Sequence, residues 1–316
     1  MRYIEDDLKF IPQESGIEGI YKMMEMAART CYQTFEFIKD GSAERIIDNI
    51  CIKAGHTSVL EFGTVYLTIK FKNGEGLATL VGKYLSDRFS RVVMDYGVAY
   101  VTKTYRTIIQ GDFKDLIEAI KNKFDKSWKD DLQYMTEPTE FHHKRYAFSI
   151  ICDRGGSQSF ERHRGNYGIS YAQESTRFVN YTKKKFDNNI RISVSSKFYE
   201  LIDSWIEEGE EWLKDATLDE RIEFLRKNDI GWSIYEHSIA TSEADYFSLV
   251  KLGWKPEDAR GVLNLDIATN MMMCGYVEDF RIFLFRRLAS DAHGHAQRIA
   301  NLMSNEFKKI GVEFTY

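Results

Sequence analysis

The spacing of apolar positions changes along the chain and with it the elements it predicts. Ile17 to Tyr32 (IEGIYKMMEMAARTCY) and Ser42 to Ala54 (SAERIIDNICIKA) place apolar residues three and four apart, which gathers them on one helix face, and Gly55 follows as a stop signal. Thr64 to Phe71 (TVYLTIKF) and Tyr146 to Cys152 (YAFSIIC) are instead short, β-branched and aromatic, and predict two strands. Between them, residues 73–145 start with a turn-like NGEG and carry one helical pattern, Asp112 to Met135, so they read as an inserted subdomain. From Ser195 onward helical patterns dominate: Ser196 to Ala216, Tyr235 to Gly253, Pro256 to Met273, and a long stretch from Val277 to Lys309. Pro256 suits a first helical turn, and Glu257 and Asp258 behind it favour a helix N-terminus. Strands followed by a helical second half predict the α+β class.

Composition narrows this little. At 316 residues, with 43% hydrophobic and 29% charged residues, the chain has length for a sizeable core and is too apolar for disorder. Three prolines and no Gly/Ser-rich linker give no internal boundary, so residues 1–316 are expected to form a single domain with the insertion at 73–145. The net charge of -5 lacks the global basic excess of a protein that binds long nucleic acid, which confines any anion site to a local feature. Cys31, Cys51, Cys152 and Cys274 stand far apart without a CxxC pair, and read as reduced core thiols rather than zinc ligands. The start, MRYIEDDLKFIPQE, has no apolar run of the signal-peptide kind, and no later stretch reaches the roughly 18 apolar residues of a membrane span. No membrane contact and a cytoplasmic location are expected.

The chemistry concentrates in residues 161–178, ERHRGNYGISYAQESTRF. Arg162 and Arg164 flank His163, and Ser170, Ser175 and Arg177 add further donors. A guanidinium is a planar fork that stays charged and matches carboxylate or phosphate oxygens. The same arginines could be ordinary surface residues paired with Glu161 or Glu174. Upstream, DRGGSQSF brings Arg154 and two glycines directly after a predicted strand, where backbone can approach a ligand. Lys183 to Lys185 read as a solvated face and Met271 to Met273 as core or interface filler.

These residues resemble the flavin-dependent thymidylate synthases (ThyX), whose signature is an RHR triplet followed by a serine and an SxR. Here those are Arg162-His163-Arg164 and Ser175-Thr176-Arg177, with a few extra residues within GNYGIS. GHTSVLEF, with His56, Ser58 and Glu61, looks like the family's HxSxxEH segment, with Phe62 in place of the second histidine. EADYFSLVKLGWKPEDAR resembles the stretch ending in a nucleotide-contacting arginine, here Arg260, and in FLFRRLASDAH Arg287 falls on the activating arginine. The early AARTCY also fits.

The resemblance implies a ThyX-like antiparallel sheet packed with long helices, in a homotetramer whose active sites are shared between subunits. It implies reductive methylation of dUMP to dTMP, with FAD as cofactor and with 5,10-methylenetetrahydrofolate and NADPH as co-substrates, and no metal. FAD would be held by His56, Ser58, Arg162, His163 and Arg164. The nucleotide would be held by Gln173 or Glu174, Ser175, Thr176, Arg177, Arg260 and Arg287, of which Arg287 is the catalytic residue. Two of the family's FAD-contacting asparagines fall on Tyr276 and Ile282. A relative acting on another pyrimidine nucleotide, or stopping at a hydroxymethyl product, remains open, as does a nucleic-acid-binding module built on the RGG and RHR stretches.

Overall fold

The computed structural model of the chain describes residues 1–70, 88–111, 132–135, 138–162 and 168–314. Its strands are β1 (Arg2–Ile4), β2 (Asp7–Ile11), β3 (Thr64–Lys70), β4 (Arg91–Asp95), β5 (Val98–Thr104), β6 (Leu132–Met135), β7 (Arg145–Asp153), β8 (Ser170–Gln173), β9 (Arg191–Ser193) and β10 (Ala268–Tyr276). Its helices are α1 (Gly16–Tyr32), α2 (Ser42–Ile46), α3 (Tyr105–Gln110), α4 (Arg154–Glu161), α5 (Ser196–Glu207), α6 (Leu218–Asn228), α7 (Ile230–Lys251), α8 (Pro256–Ala259), α9 (Val277–Arg287) and α10 (Gly294–Lys309).

Two antiparallel four-stranded sheets organise the chain, one in the order β2-β7-β10-β8 and the other β4-β5-β3-β6, while β1 and β9 form a small parallel pair. The class is α+β, with antiparallel sheets. Side chains alternate across a strand, and in the first sheet both faces are covered. Ala147, Ala172, Met272 and Cys274 join a core with α1, β3 and β5, whereas Phe148, Ile150, Met271 and Met273 join one with α9 and α10. Gly63 shows how tightly the first core closes: a Cβ there would lie 2.9 Å from Ile20 Cγ2 and 2.9 Å from Met24 Sδ.

The double coverage corrects one expectation. Pro256 to Met273 is not one helix: α8 ends after a single turn, and Ala268–Tyr276 is an inner strand of the first sheet. A strand buried on both faces has no polar alternate positions, so its apolar run cannot be told from a buried helix by period. Likewise, the helical pattern from Asp112 to Met135 ends in a strand, with Leu132–Met135 paired to Tyr66–Ile69; residues 112–131 lie outside the described ones. Val277 to Lys309 divides into α9 and α10, and the NGEG turn also falls outside the described residues.

The helical second half is capped by side chains that the sequence supplies locally. Thr217 Oγ1 accepts a hydrogen bond from the Glu220 backbone N–H (3.3 Å), and the Glu220 carboxylate accepts one from the Thr217 N–H (2.8 Å), a reciprocal cap at the start of α6. Thr217→Ala is expected to cost about 1 kcal/mol, read as a lower urea midpoint at unchanged slope.

Candidate functional site

A cavity of about 410 Å³ lies where the C-terminal end of α1 meets the turn Thr57–Phe62 and the end of β8. His56 and Ser58 from one side and Gln173 and Ser175 from the other line it, with Tyr32 and Arg106. Four of the expected site residues, from segments more than a hundred positions apart, therefore share one cavity. The His56 ring stacks on Tyr32, centroids 6.4 Å apart and planes 18° apart, with the Tyr32 hydroxyl 2.6 Å from His56 Nδ1. Tyr32 in turn meets Phe178, centroids 5.4 Å apart.

Buried polar groups fix the two segments to each other. Arg145, 9% exposed, donates to Glu61 O (2.7 Å) and Thr64 Oγ1 (3.3 Å) on one side and to Ser170 Oγ (3.2 Å) and Cys274 O (3.3 Å) on the other. The fully buried Glu61 forms an ion pair with Arg106, whose Nε also donates to Gln110 Oε1 at 3.0 Å. Ser175 is held by its own N–H, which donates to Cys31 O at 2.9 Å. Gln173 Nε2 donates to Ser157 Oγ at 2.6 Å, tying the cavity wall to α4. Phe62, in the place of the family's second histidine, is fully buried.

Gln173 and Glu174 part company. Glu174 is 1% exposed and accepts hydrogen bonds from Tyr181 Oη (2.8 Å) and from the backbone N–H (3.3 Å) and Nδ2 (3.0 Å) of Asn270. It is a junction of the chain's own hydrogen bonds, and Gln173 is the member of the pair that faces the cavity.

A second group forms outside the cavity. Arg177, exposed, donates through Nε to Glu257 Oε2 (2.8 Å), and Arg260 donates through Nη1 to Thr176 Oγ1 (3.0 Å) and through Nε to Glu257 O (3.1 Å). This joins the SxR segment to α8. A third group sits at the C-terminal end of α4. Arg287, in the last turn of α9, donates through Nη2 to Ser159 O (2.5 Å), while its Nε is buried without a hydrogen-bond partner among the described residues. Burial, and then the neighbouring Arg162, hold the Arg287 pKa below that of a free guanidinium. Arg162, exposed, closes the C-terminal end of α4. Arg287 has no carboxylate partner among the described residues, and a part-buried guanidinium with an unpaired Nε can receive an anion. His163 and Arg164 lie outside the described residues.

Tyr276 and Ile282 stand where the resemblance would set flavin-contacting asparagines. Tyr276 is fully buried and donates its hydroxyl to Phe89 O at 2.6 Å, under the Arg91 guanidinium 4.5 Å from its ring centroid. Ile282 is half-buried on α9. The cysteines are free. Burial raises the pKa of all four, Cys31 to about 11 and Cys51 to about 12, so each is a neutral thiol near pH 7. Arg106 and Arg145 escape a reading by motif because their roles come from tertiary partners; Arg154, which the sequence singles out beside two glycines, donates through Nη1 to Glu174 O at 3.2 Å. Among the described residues no group of three or more His, Cys, Asp or Glu is arranged to hold a metal, and no helix is long and apolar enough to cross a membrane.

A family model described as thymidylate synthase complementing protein matches residues 91–311. That span contains Arg162, Gln173 to Arg177, Arg260 and Arg287, and it starts downstream of His56 and Ser58. No curated protein matches the chain.

Proposed function

From the premise that the chain belongs to the thymidylate synthase complementing protein family, we propose that it is an FAD-dependent thymidylate synthase that converts dUMP into dTMP. In this reading 5,10-methylenetetrahydrofolate donates the carbon and NADPH the electrons. Family membership indicates thymidylate synthase activity; the flavin and the co-substrates are our extension of it. The observation that carries the extension is the cavity that gathers His56, Ser58, Gln173 and Ser175 from distant segments, together with the part-buried Arg287, whose Nε has no partner among the described residues.

That cavity, lined by His56 and Ser58, has the size of a small-molecule site. Arg162, His163, Arg164 and Ser58 would hold the flavin cofactor, with His56 beside it. FAD, when bound, supplies the hydride. Tyr276 is committed to the core and takes no part. Four neutral thiols leave the chain without a ready cysteine nucleophile for the pyrimidine ring, which favours the flavin-dependent route.

The protein's own task is positioning and charge. Arg177 and Arg260 would hold the nucleotide phosphate, with Ser175 and Thr176 at the turn and Gln173 in the cavity wall. Arg287 would stabilise negative charge that grows at N3 and O4 of the pyrimidine, as a donor fixed before the reaction begins. Within one subunit, Arg177 and Arg260 meet at α8, whereas Arg287 bonds to Ser159 at the end of α4. A homotetramer with shared sites is the arrangement that would let groups from different subunits meet on one nucleotide. We read residues 73–145 as an insertion in this single domain; β4, β5 and β6 from it pair with one another or with β3.

The test is direct. The purified protein is expected to carry, or to take up on addition of FAD, the visible absorption of an oxidised flavin, and to form dTMP from dUMP, methylenetetrahydrofolate and NADPH. A colourless protein that binds no added FAD overturns the cofactor assignment, and a flavoprotein that leaves dUMP unchanged overturns the substrate.

A further inference from the structure

A cavity of about 680 Å³ lies between the N-terminal half of α1, the end of β2 and the loop 38–41 that leads into α2. Helical spacing builds its longest wall: Glu18, Lys22 and Glu25 stand three or four positions apart along α1, and so do Gly19, Met23 and Met26. The buried part of the lining is apolar, with Tyr21 and Met23, and methionine adapts readily to the shape of a ligand. Ile38 stands on the loop side at 45% exposure. The volume falls within the roughly 300–1,000 Å³ of small-molecule sites.

The exposed part of the lining is acidic. Glu14 pairs with Lys22 at 2.7 Å, but Glu18, Asp40 and Glu44 have no cationic partner among the described residues, and Lys39 is the one other lysine in the lining. Glu18 and Asp40 come from different elements, yet both act on the Lys22 ammonium, whose pKa is raised first by its bond to Glu14. Beneath them Glu25 is 3% exposed. Its Oε1 accepts from Arg29 Nε (3.1 Å), Arg29 Nη2 (2.9 Å) and Ser42 Oγ (2.8 Å). Its Oε2 accepts no hydrogen bond among the described residues and is not sealed in by them, which leaves that oxygen for the cavity. Ser42 Oγ in turn accepts from the Lys39 N–H at 3.0 Å, so loop and helix are fixed to each other before anything binds.

We propose that this cavity is a binding site for a small amphiphilic cation, an ammonium or guanidinium carried on an apolar body. The body lies against Tyr21, Met23 and Met26, and the charged head meets Glu25 Oε2 under the carboxylates of Glu18, Asp40 and Glu44. A nearly buried carboxylate oxygen gains most from an ionised donor, and the acidic opening turns anions away. The site uses none of the residues of the thymidylate synthase reading and stands independently of it.

Isothermal titration of the full-length protein at low salt tests this with three probes that share one apolar body: 4-phenylbutylamine, 4-phenylbutan-1-ol and 4-phenylbutyrate. The amine is expected to bind about tenfold more tightly than the alcohol, the margin of a charge-assisted over a neutral hydrogen bond, and the carboxylate to show no binding. High ionic strength should shrink the margin. Glu18→Gln combined with Asp40→Asn and Glu44→Gln, all on exposed side chains, is expected to bring the ratio of amine to alcohol affinity below about threefold at an unchanged melting temperature. Met26→Trp, which fills the apolar part of the cavity, is expected to abolish binding of both. Equal binding of amine and alcohol to the unaltered protein overturns the proposal, as does binding of none of the probes. A preference undiminished in the triple variant, or amine binding that survives Met26→Trp, places the cation elsewhere and overturns it as well.

Discussion

Arg287→Ala is expected to lower kcat for dTMP formation by about 10²- to 10³-fold, the usual effect of deleting one preorganised donor aimed at developing charge. The side chain is held by a hydrogen bond from Nη2 to Ser159 O at 2.5 Å and by burial, so its direction does not have to be set when the nucleotide arrives. Its loss should cost the fold little. The substitution removes a cation that burial and Arg162 disfavour, and the bond it breaks is to a carbonyl at the C-terminal end of α4. Arg287→Lys keeps the charge but not the planar fork, and a rate between those of the two proteins is expected. The informative measurement is the single-turnover rate at saturating dUMP, alongside flavin absorption and melting temperature. A normal rate in the alanine protein removes the catalytic assignment; a slow rate with lost flavin would show that Arg287 serves the cofactor rather than the pyrimidine.

How much of this was legible in the sequence differs from element to element for physical reasons. α1 and β3 were, because each buries one face and shows it as a period: Ile20, Met24 and Ala27 on the helix, Val65, Leu67 and Ile69 on the strand. β10 was not, since Met271, Met272 and Met273 alternate between two cores and leave no polar positions to mark the strand. At the site, the fold brings His56, Ser58, Gln173 and Ser175 to one cavity. The family resemblance pointed to His56, Ser58, Gln173 or Glu174, and Ser175. It could not separate Gln173 from Glu174, because that distinction lies in Asn270 and Tyr181, about a hundred positions away and a few residues away respectively, meeting the same carboxylate. Nor could it find Arg145, an isolated arginine whose importance comes from the two segments it joins.

The same holds for the residue whose loss should cost the fold most. His295 is 1% exposed and lies between two carboxylates, with Nε2 2.8 Å from Asp6 Oδ1 and Nδ1 2.5 Å from Asp153 Oδ2. Ser193 Oγ donates to Asp6 at 2.6 Å, Arg298 Nε lies 3.2 Å from Asp6, and burial, then the charge of Asp153, raises the pKa of Asp266. Burial opposes the imidazolium, but the two carboxylates against it, Asp153 and Asp6, outweigh it and push the His295 pKa up to about 9. Asp153 also caps α4, accepting from the Gly156 N–H, so the buried ion pair sets the start of the helix whose end carries Arg162.

His295→Leu leaves two carboxylates facing each other in the core, and a loss of roughly 3–5 kcal/mol is expected. The pH dependence separates this from a packing effect. A pKa raised on folding from 6.5 to about 9 contributes stability that is complete below pH 6.5 and is lost as pH rises through 9. That contribution is on the order of 3 kcal/mol for a group this buried. Urea midpoints of the unaltered protein should therefore fall between pH 6.5 and 9. In His295→Gln, which keeps a polar side chain without the titrating charge, that fall should vanish. A midpoint that declines equally in both proteins over this range would assign the loss to other groups and leave His295 a packed polar residue.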